Sequence, residues 1–157
     1  MIRPVVAGAV YLDTSAWVKL YMDEAESDAV AAWLSAATTR YTVLIAWAEM
    51  RSALARAERS GRFAAAFKKT ALASAEQDWA DFIVVQPTEA MVRRAGDLAD
   101  RFGLRGYDSV HLAAAEAISL LLMPEPLMFV CFDERLCDAA RSRRRVARVW
   151  RRVCRAR

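Results

Sequence analysis

Val10-Tyr11-Leu12-Asp13-Thr14-Ser15-Ala16 is the stretch that decides the fold. A short apolar run ends at an acid, and Thr14 or Ser15 can then cap a helix running to about Met22. The same strand-then-helix grammar continues along the chain. Strands are expected at Tyr41–Leu44, Phe82–Val85, Met128–Phe132 and Val146–Trp150, each a short apolar or β-branched run. Between them lie expected helices over about Glu24–Ala36, Ala46–Arg59, Phe63–Trp79, Tyr107–Leu122 and Glu134–Arg141. A further helix is capped by Thr88 and stopped after Phe102 by Gly103. Strands separated by helices predict an α/β fold, a three-layer sandwich with a central parallel sheet covered on both faces.

The 157 residues suffice for one domain with a real core, and a 56 % hydrophobic content argues against disorder. No repeat and no Gly/Ser/Pro-rich linker interrupts the chain, so 1–157 is expected to be a single domain with its core at about 9–150. The formal charge of +4 is unevenly placed. Residues 141–157 hold nine Arg and no acid, which leaves fourteen basic and nineteen acidic residues upstream. An acidic body therefore carries a basic, Arg-rich end, unlike the even basic coat of many nucleic-acid binders. Lys68-Lys69 and Arg93-Arg94 are expected on solvated helix faces.

Cys131, Cys137 and Cys154 form neither an even disulfide set nor a CxxC pair, which fits a reducing cytoplasm. The longest apolar runs, at residues 4–12 and 118–124, fall short of the roughly 20 residues that a membrane helix needs. The first is expected to be a buried strand rather than a leader peptide.

The acids are the informative residues. Ligands of open parallel sheets bind at the carboxyl ends of the strands. Asp13 and Asp133 each follow an apolar strand, and Asp108 falls in the first turn of the Tyr107–Leu122 helix. Glu49 has Ile45, Ala46, Ser52 and Ala53 at helical spacing, so it has no cation beside it and needs a partner from elsewhere in the fold. Carboxylates that converge without Lys or Arg suit a hard divalent cation, Mg²⁺ or Mn²⁺. His111 is the sole histidine, which excludes a zinc site of several imidazoles. A carboxylate-held ion suits hydrolysis of phosphate esters and lets an acidic pocket accept a polyanion.

Four blocks carry a family likeness: Tyr11-Leu12-Asp13-Thr14-Ser15-Ala16, Ala48-Glu49-Met50-Arg51-Ser52-Ala53-Leu54, Arg105-Gly106-Tyr107-Asp108-Ser109-Val110-His111-Leu112-Ala113, and Phe132-Asp133-Glu134-Arg135-Leu136. In order and spacing they resemble PIN-domain ribonucleases, and among these the VapC-type toxins of toxin–antitoxin pairs. The resemblance implies Mg²⁺- or Mn²⁺-dependent cleavage of RNA, a homodimer, and a cognate antitoxin that blocks the acidic pocket. It implies that Asp13, Asp108 and Asp133 hold the metal directly or through water, that Glu49 completes the acidic quartet, and that Thr14 and Ser15 line the pocket. Departures are mild. Ser109 stands where Ala is common, and Cys131 where a Ser or Thr often precedes the last acid by two.

His111, one turn after Asp108 on an apolar helix, reads as a hydrogen-bonded packing residue outside the catalytic set. The tryptophans read as packing residues. The competing function is a non-catalytic PIN-like module that binds RNA or protein through the Arg-rich end.

Overall fold

The computed structural model describes residues 8–22, 24–143 and 149–150. The chain runs β1 (Ala9–Leu12), α1 (Thr14–Trp17), a 3-10 turn (Val18–Tyr21), α2 (Ser27–Ala36), β2 (Thr39–Val43), α3 (Ala46–Arg59) and α4 (Ala65–Trp79). It continues as β3 (Phe82–Val85), α5 (Glu89–Phe102), α6 (Gly106–Leu121), β4 (Leu127–Val130), α7 (Glu134–Ser142) and β5 (Val149–Trp150). The strands form one sheet in the order β3-β2-β1-β4-β5, and every pairing is parallel. The expected α/β/α sandwich is the observed one.

Strand β1 lies at the centre, and all of its residues are buried. Successive side chains of a strand face opposite sides. Ala9 and Tyr11 accordingly enter one core with Leu127 and Phe129 of β4, Leu98 of α5, Leu112 of α6 and Leu136 of α7. Val10 and Leu12 enter the other with Met128, Trp17 of α1, Val30 of α2, Met50 and Leu54 of α3 and Ala75 of α4. Trp17 is fully buried and stacks on Trp79 with ring centroids 5.3 Å apart, while Trp47 and Phe82 close around it.

Helix ends follow local chemistry. Thr88 Oγ1 accepts from the Met91 N–H, and Gly103 takes a left-handed φ of 63° to end α5. The helix expected to reach Met22 stops at Trp17 and tightens into the 3-10 turn. Helix α2 begins at Ser27 rather than near Glu24. The Ser27 hydroxyl donates to the carbonyls of Met22 and Glu24, and Glu26 adopts φ 70°, so side-chain bonds replace the helical ladder across this turn.

Arg94 stays partly exposed but is held by a partner on another helix. Its guanidinium forks onto Glu116 of α6 at 2.9 and 3.2 Å, and Arg143 adds a bond of 2.7 Å to the same carboxylate. A buried acid on α6 thus draws α5 and the end of α7 together. Among the described residues no helix is long and apolar enough to cross a membrane. Cys131 and Cys137 are buried free thiols. Cys154, Val146 of the expected last strand, and most of the Arg-rich end lie outside the described residues.

Core position sets the cost of truncation. Trp17→Ala should lower the unfolding free energy in urea by about 3–5 kcal/mol. Leu121→Ala, at a residue 79 % exposed, should change it by less than about 0.5 kcal/mol.

Candidate active site

The chain leaves β1 outward to β2 and β3, then crosses back through α5 and α6 to pair β4 on the other side of β1. The sheet therefore has its switch point between β1 and β4, where crevices open at the carboxyl ends of the strands. Asp13 follows β1, Asp133 follows β4 by three residues, Glu49 lies in the first turn of α3 beyond β2, and Asp108 lies in the first turn of α6. Parallel pairing puts all of these segments at one edge.

Asp13 is only 4 % exposed and is held by its own helix. It is the N-cap of α1, and its Oδ1 accepts from the Ala16 N–H at 2.9 Å, while Thr14 and Ser15 fall inside the helix. The Ser15 hydroxyl donates to the Asp13 carboxylate at 2.8 Å and accepts from the Phe132 N–H at 2.8 Å. Ser15 thereby ties the exit of β1 to the exit of β4. Burial pushes the Asp13 carboxyl up to about 6, against the pull of His111, Ser15 and Ala16, with the charge of Glu49 adding to the rise.

Asp133 caps α7 by accepting from the Leu136 N–H at 2.9 Å. Asp108 is half-buried, and burial followed by the charges of Asp133 and Glu49 raises its carboxyl above the usual aspartate range. Glu49 behaves differently. Burial works to raise it, but the hydrogen bond and the charge of His111, the Thr14 hydroxyl and the charge of Arg56 outweigh that, and it titrates below the ordinary glutamate range.

Among the described residues no Lys or Arg ion-pairs with any of the four acids. The acids feel one another as like charges: Asp13 with Glu49, and Asp108 with both Asp133 and Glu49. They are not drawn into a cage, since among the described residues no three His, Cys, Asp or Glu side chains stand close enough to enclose an ion. As a donor set, anionic oxygens without a resident cation match a hard divalent ion that retains much of its water.

The partner that Glu49 lacked on its own helix is His111. Its Nε2 lies 2.9 Å from Glu49 Oε2, and the Thr14 hydroxyl donates to the same oxygen at 2.6 Å. His111 is buried and hydrogen-bonded as expected, but it adjoins the acids. Tyr11, expected only as part of a buried strand, reaches its other nitrogen. The available signal was the one-turn spacing from Asp108 to His111, combined with the missing cation beside Glu49.

Residues 10–142 match the family model of the PIN domain. Ribonuclease VapC45 of Mycobacterium tuberculosis is 36 % identical over 138 residues, covering 85 % of this chain and 90 % of that protein. Among solved structures, Mycobacterium tuberculosis VapC20, described as a Sarcin-Ricin loop cleaving toxin, superposes with a TM-score of 0.63 at 18 % identity, over 83 % of this chain and 95 % of that one. A toxin–antitoxin complex from Klebsiella pneumoniae gives a TM-score of 0.51 at 17 % identity, over 76 % and 84 %. Sequence match, sheet order and the placement of the acids agree, and this chain belongs to the PIN-domain family, in its VapC-type branch.

Proposed function

We propose that the chain is a divalent-metal-dependent endoribonuclease acting as the toxin of a toxin–antitoxin pair, with RNA as substrate and a cognate antitoxin as its inhibitor. The observation that carries this reading is the set of four carboxylates at the β1/β4 switch point, with no Lys or Arg ion-paired to them among the described residues. The VapC-type relatives support the activity, and the toxin–antitoxin complex among the fold's neighbours supports the partner. A homodimer completes the proposed assembly.

Asp13, Asp108 and Asp133 would hold Mg²⁺ or Mn²⁺, directly or through water, with Glu49 beside them. The ion supplies water activation and offsets charge on the attacking and leaving oxygens of the phosphodiester. The chain's own residues do the positioning. Ser15 and the Ala16 N–H fix Asp13, the Leu136 N–H fixes Asp133, and the Thr14 hydroxyl fixes one oxygen of Glu49. Anchored acids keep their places when a polyanionic substrate arrives.

The same acids cost stability when no ion is present. An unfolded Asp ionises near 3.8, whereas folded Asp13 keeps its proton up to about 6. Between these values the folded state binds more protons, so stability falls as pH rises through the window. Asp108 is raised in the same direction. The metal-free protein should therefore melt at a higher temperature at pH 5 than at pH 7.5. Asp13→Asn should gain up to about 3 kcal/mol at pH 7.5 and lose that advantage near pH 4. Calorimetric melts in EDTA across this range check the sign, and an Asn variant that is less stable at every pH contradicts it.

For activity, Asp13→Asn and Asp108→Asn should each slow RNA cleavage in Mg²⁺ or Mn²⁺ by roughly a hundredfold or more, measured on antitoxin-free protein with a panel of structured RNAs. Variants that cut as fast as the parent would sink the assignment.

A further inference from the structure

Helix α6 buries one histidine among Val110, Leu112, Ala113 and Ala114, and His111 is only 1 % exposed. A buried imidazole has two nitrogens to satisfy, and the direction of each hydrogen bond can be worked out from its partners. Nε2 faces Glu49 Oε2 at 2.9 Å and Thr14 Oγ1 at 3.1 Å. The single Thr14 hydrogen already points at Glu49, so Thr14 oxygen meets Nε2 as an acceptor. An ionised Glu49 also only accepts. Nε2 must therefore carry a hydrogen.

Nδ1 lies 3.1 Å from the Tyr11 hydroxyl. A tyrosine phenol carries a hydrogen at neutral pH, so Tyr11 can donate along this contact. The chain of contacts runs from Tyr11 through His111 to Glu49, with Nε2 donating to Oε2. The relay crosses the whole site: Tyr11 belongs to β1, His111 to α6, Glu49 to α3, and Thr14 to the start of α1. It ends on one carboxylate oxygen, Oε2, which takes two donors. No hydrogen bond is made to Glu49 Oε1 among the described residues.

We propose that His111 is a positioning residue of the nuclease site, which through its Nε2–H pins Oε2 of Glu49 and so fixes how that carboxylate is offered to a divalent cation. The inference rests on the metal-dependent reading above. A glutamate side chain has several rotatable bonds, and this one is partly exposed. Without donors it would sample rotamers away from the ion. Tyr11 in turn, through its contact with Nδ1 and an edge-on packing of the two rings, fixes the orientation in which Nε2 faces Glu49. Partners of this kind, one bond removed from the ion, typically change metal affinity by about tenfold to a hundredfold when removed.

The test compares His111→Gln, which keeps an N–H donor at similar reach, with His111→Leu, which fills the space without one. Mn²⁺ affinity is measured by calorimetry on metal-free protein, melting temperature in EDTA, and kcat and KM on an RNA that the parent cuts. His111→Leu should weaken Mn²⁺ binding by about tenfold or more and lower kcat with little change in KM. His111→Gln should recover most of the lost affinity, although it melts no higher than His111→Leu. Equal Mn²⁺ affinity in His111→Leu and the parent overturns the inference, as does loss of affinity that follows melting temperature alike in both variants.

If His111→Leu does not fold, Tyr11→Phe replaces it. A several-fold loss of Mn²⁺ affinity there supports the relay, and an unchanged affinity overturns it. Asp13→Asn separates the two readings. Where Asp13→Asn abolishes Mn²⁺ binding and the His111 variants leave it intact, the positioning role alone fails. A parent that takes up no Mn²⁺ overturns the metal reading and this inference with it.

Discussion

A carboxylate with almost no access to water sits at the end of the most central strand, and the local structure is shaped around keeping it there. Asp13 has donors on two sides, the Ser15 hydroxyl and the Ala16 N–H, and it uses them to start a helix only four residues long. Those bonds offset part of the desolvation but not all of it, since the group still titrates near 6. Asp108 is strained in the same sense by burial and by its acidic neighbours. The fold gathers acids that no Lys or Arg among the described residues ion-pairs, which is the usual opposition between a functional site and stability.

The rest of the molecule supplies the rigidity that such a site needs. Two apolar cores clamp the sheet from either face, with Tyr11 stacked on Phe129 in one and the Trp17, Trp47 and Trp79 group in the other. Helix α6 serves both purposes. Its first turn carries Asp108, the next carries His111 inward, and two turns further along Glu116 gathers Arg94 and Arg143. One buried helix thus connects the acidic edge to an ion-pair clamp between α5 and the end of α7.

Much of this was legible in the residues. Short apolar runs ending at acids located β1 and β4, and Thr88 and Gly103 marked both ends of α5, because caps and left-handed glycines are local signals. The late start of α2 was not legible, since it depends on where the Ser27 hydroxyl finds carbonyls five and three residues back. Arg94 looked like a solvated charge because its partner lies 22 residues away on another helix. The acids could be grouped from their places at strand ends and helix starts. The link from Tyr11 through His111 to Glu49 could not, because it joins segments separated by 100 and 62 residues and exists only once α6 lies across the sheet.

The Ser15 hydroxyl reaches the Phe132 N–H across 117 residues, in the same neighbourhood as the parallel β1–β4 ladder. On a ribosome, β1 must wait for more than a hundred further residues before that ladder can close. Contacts of such long range form late because the intervening loop must first be ordered. The nascent protein therefore keeps Asp13 and Asp133 apart until β4 has been made. Synthesis itself delays the assembly of the acidic edge.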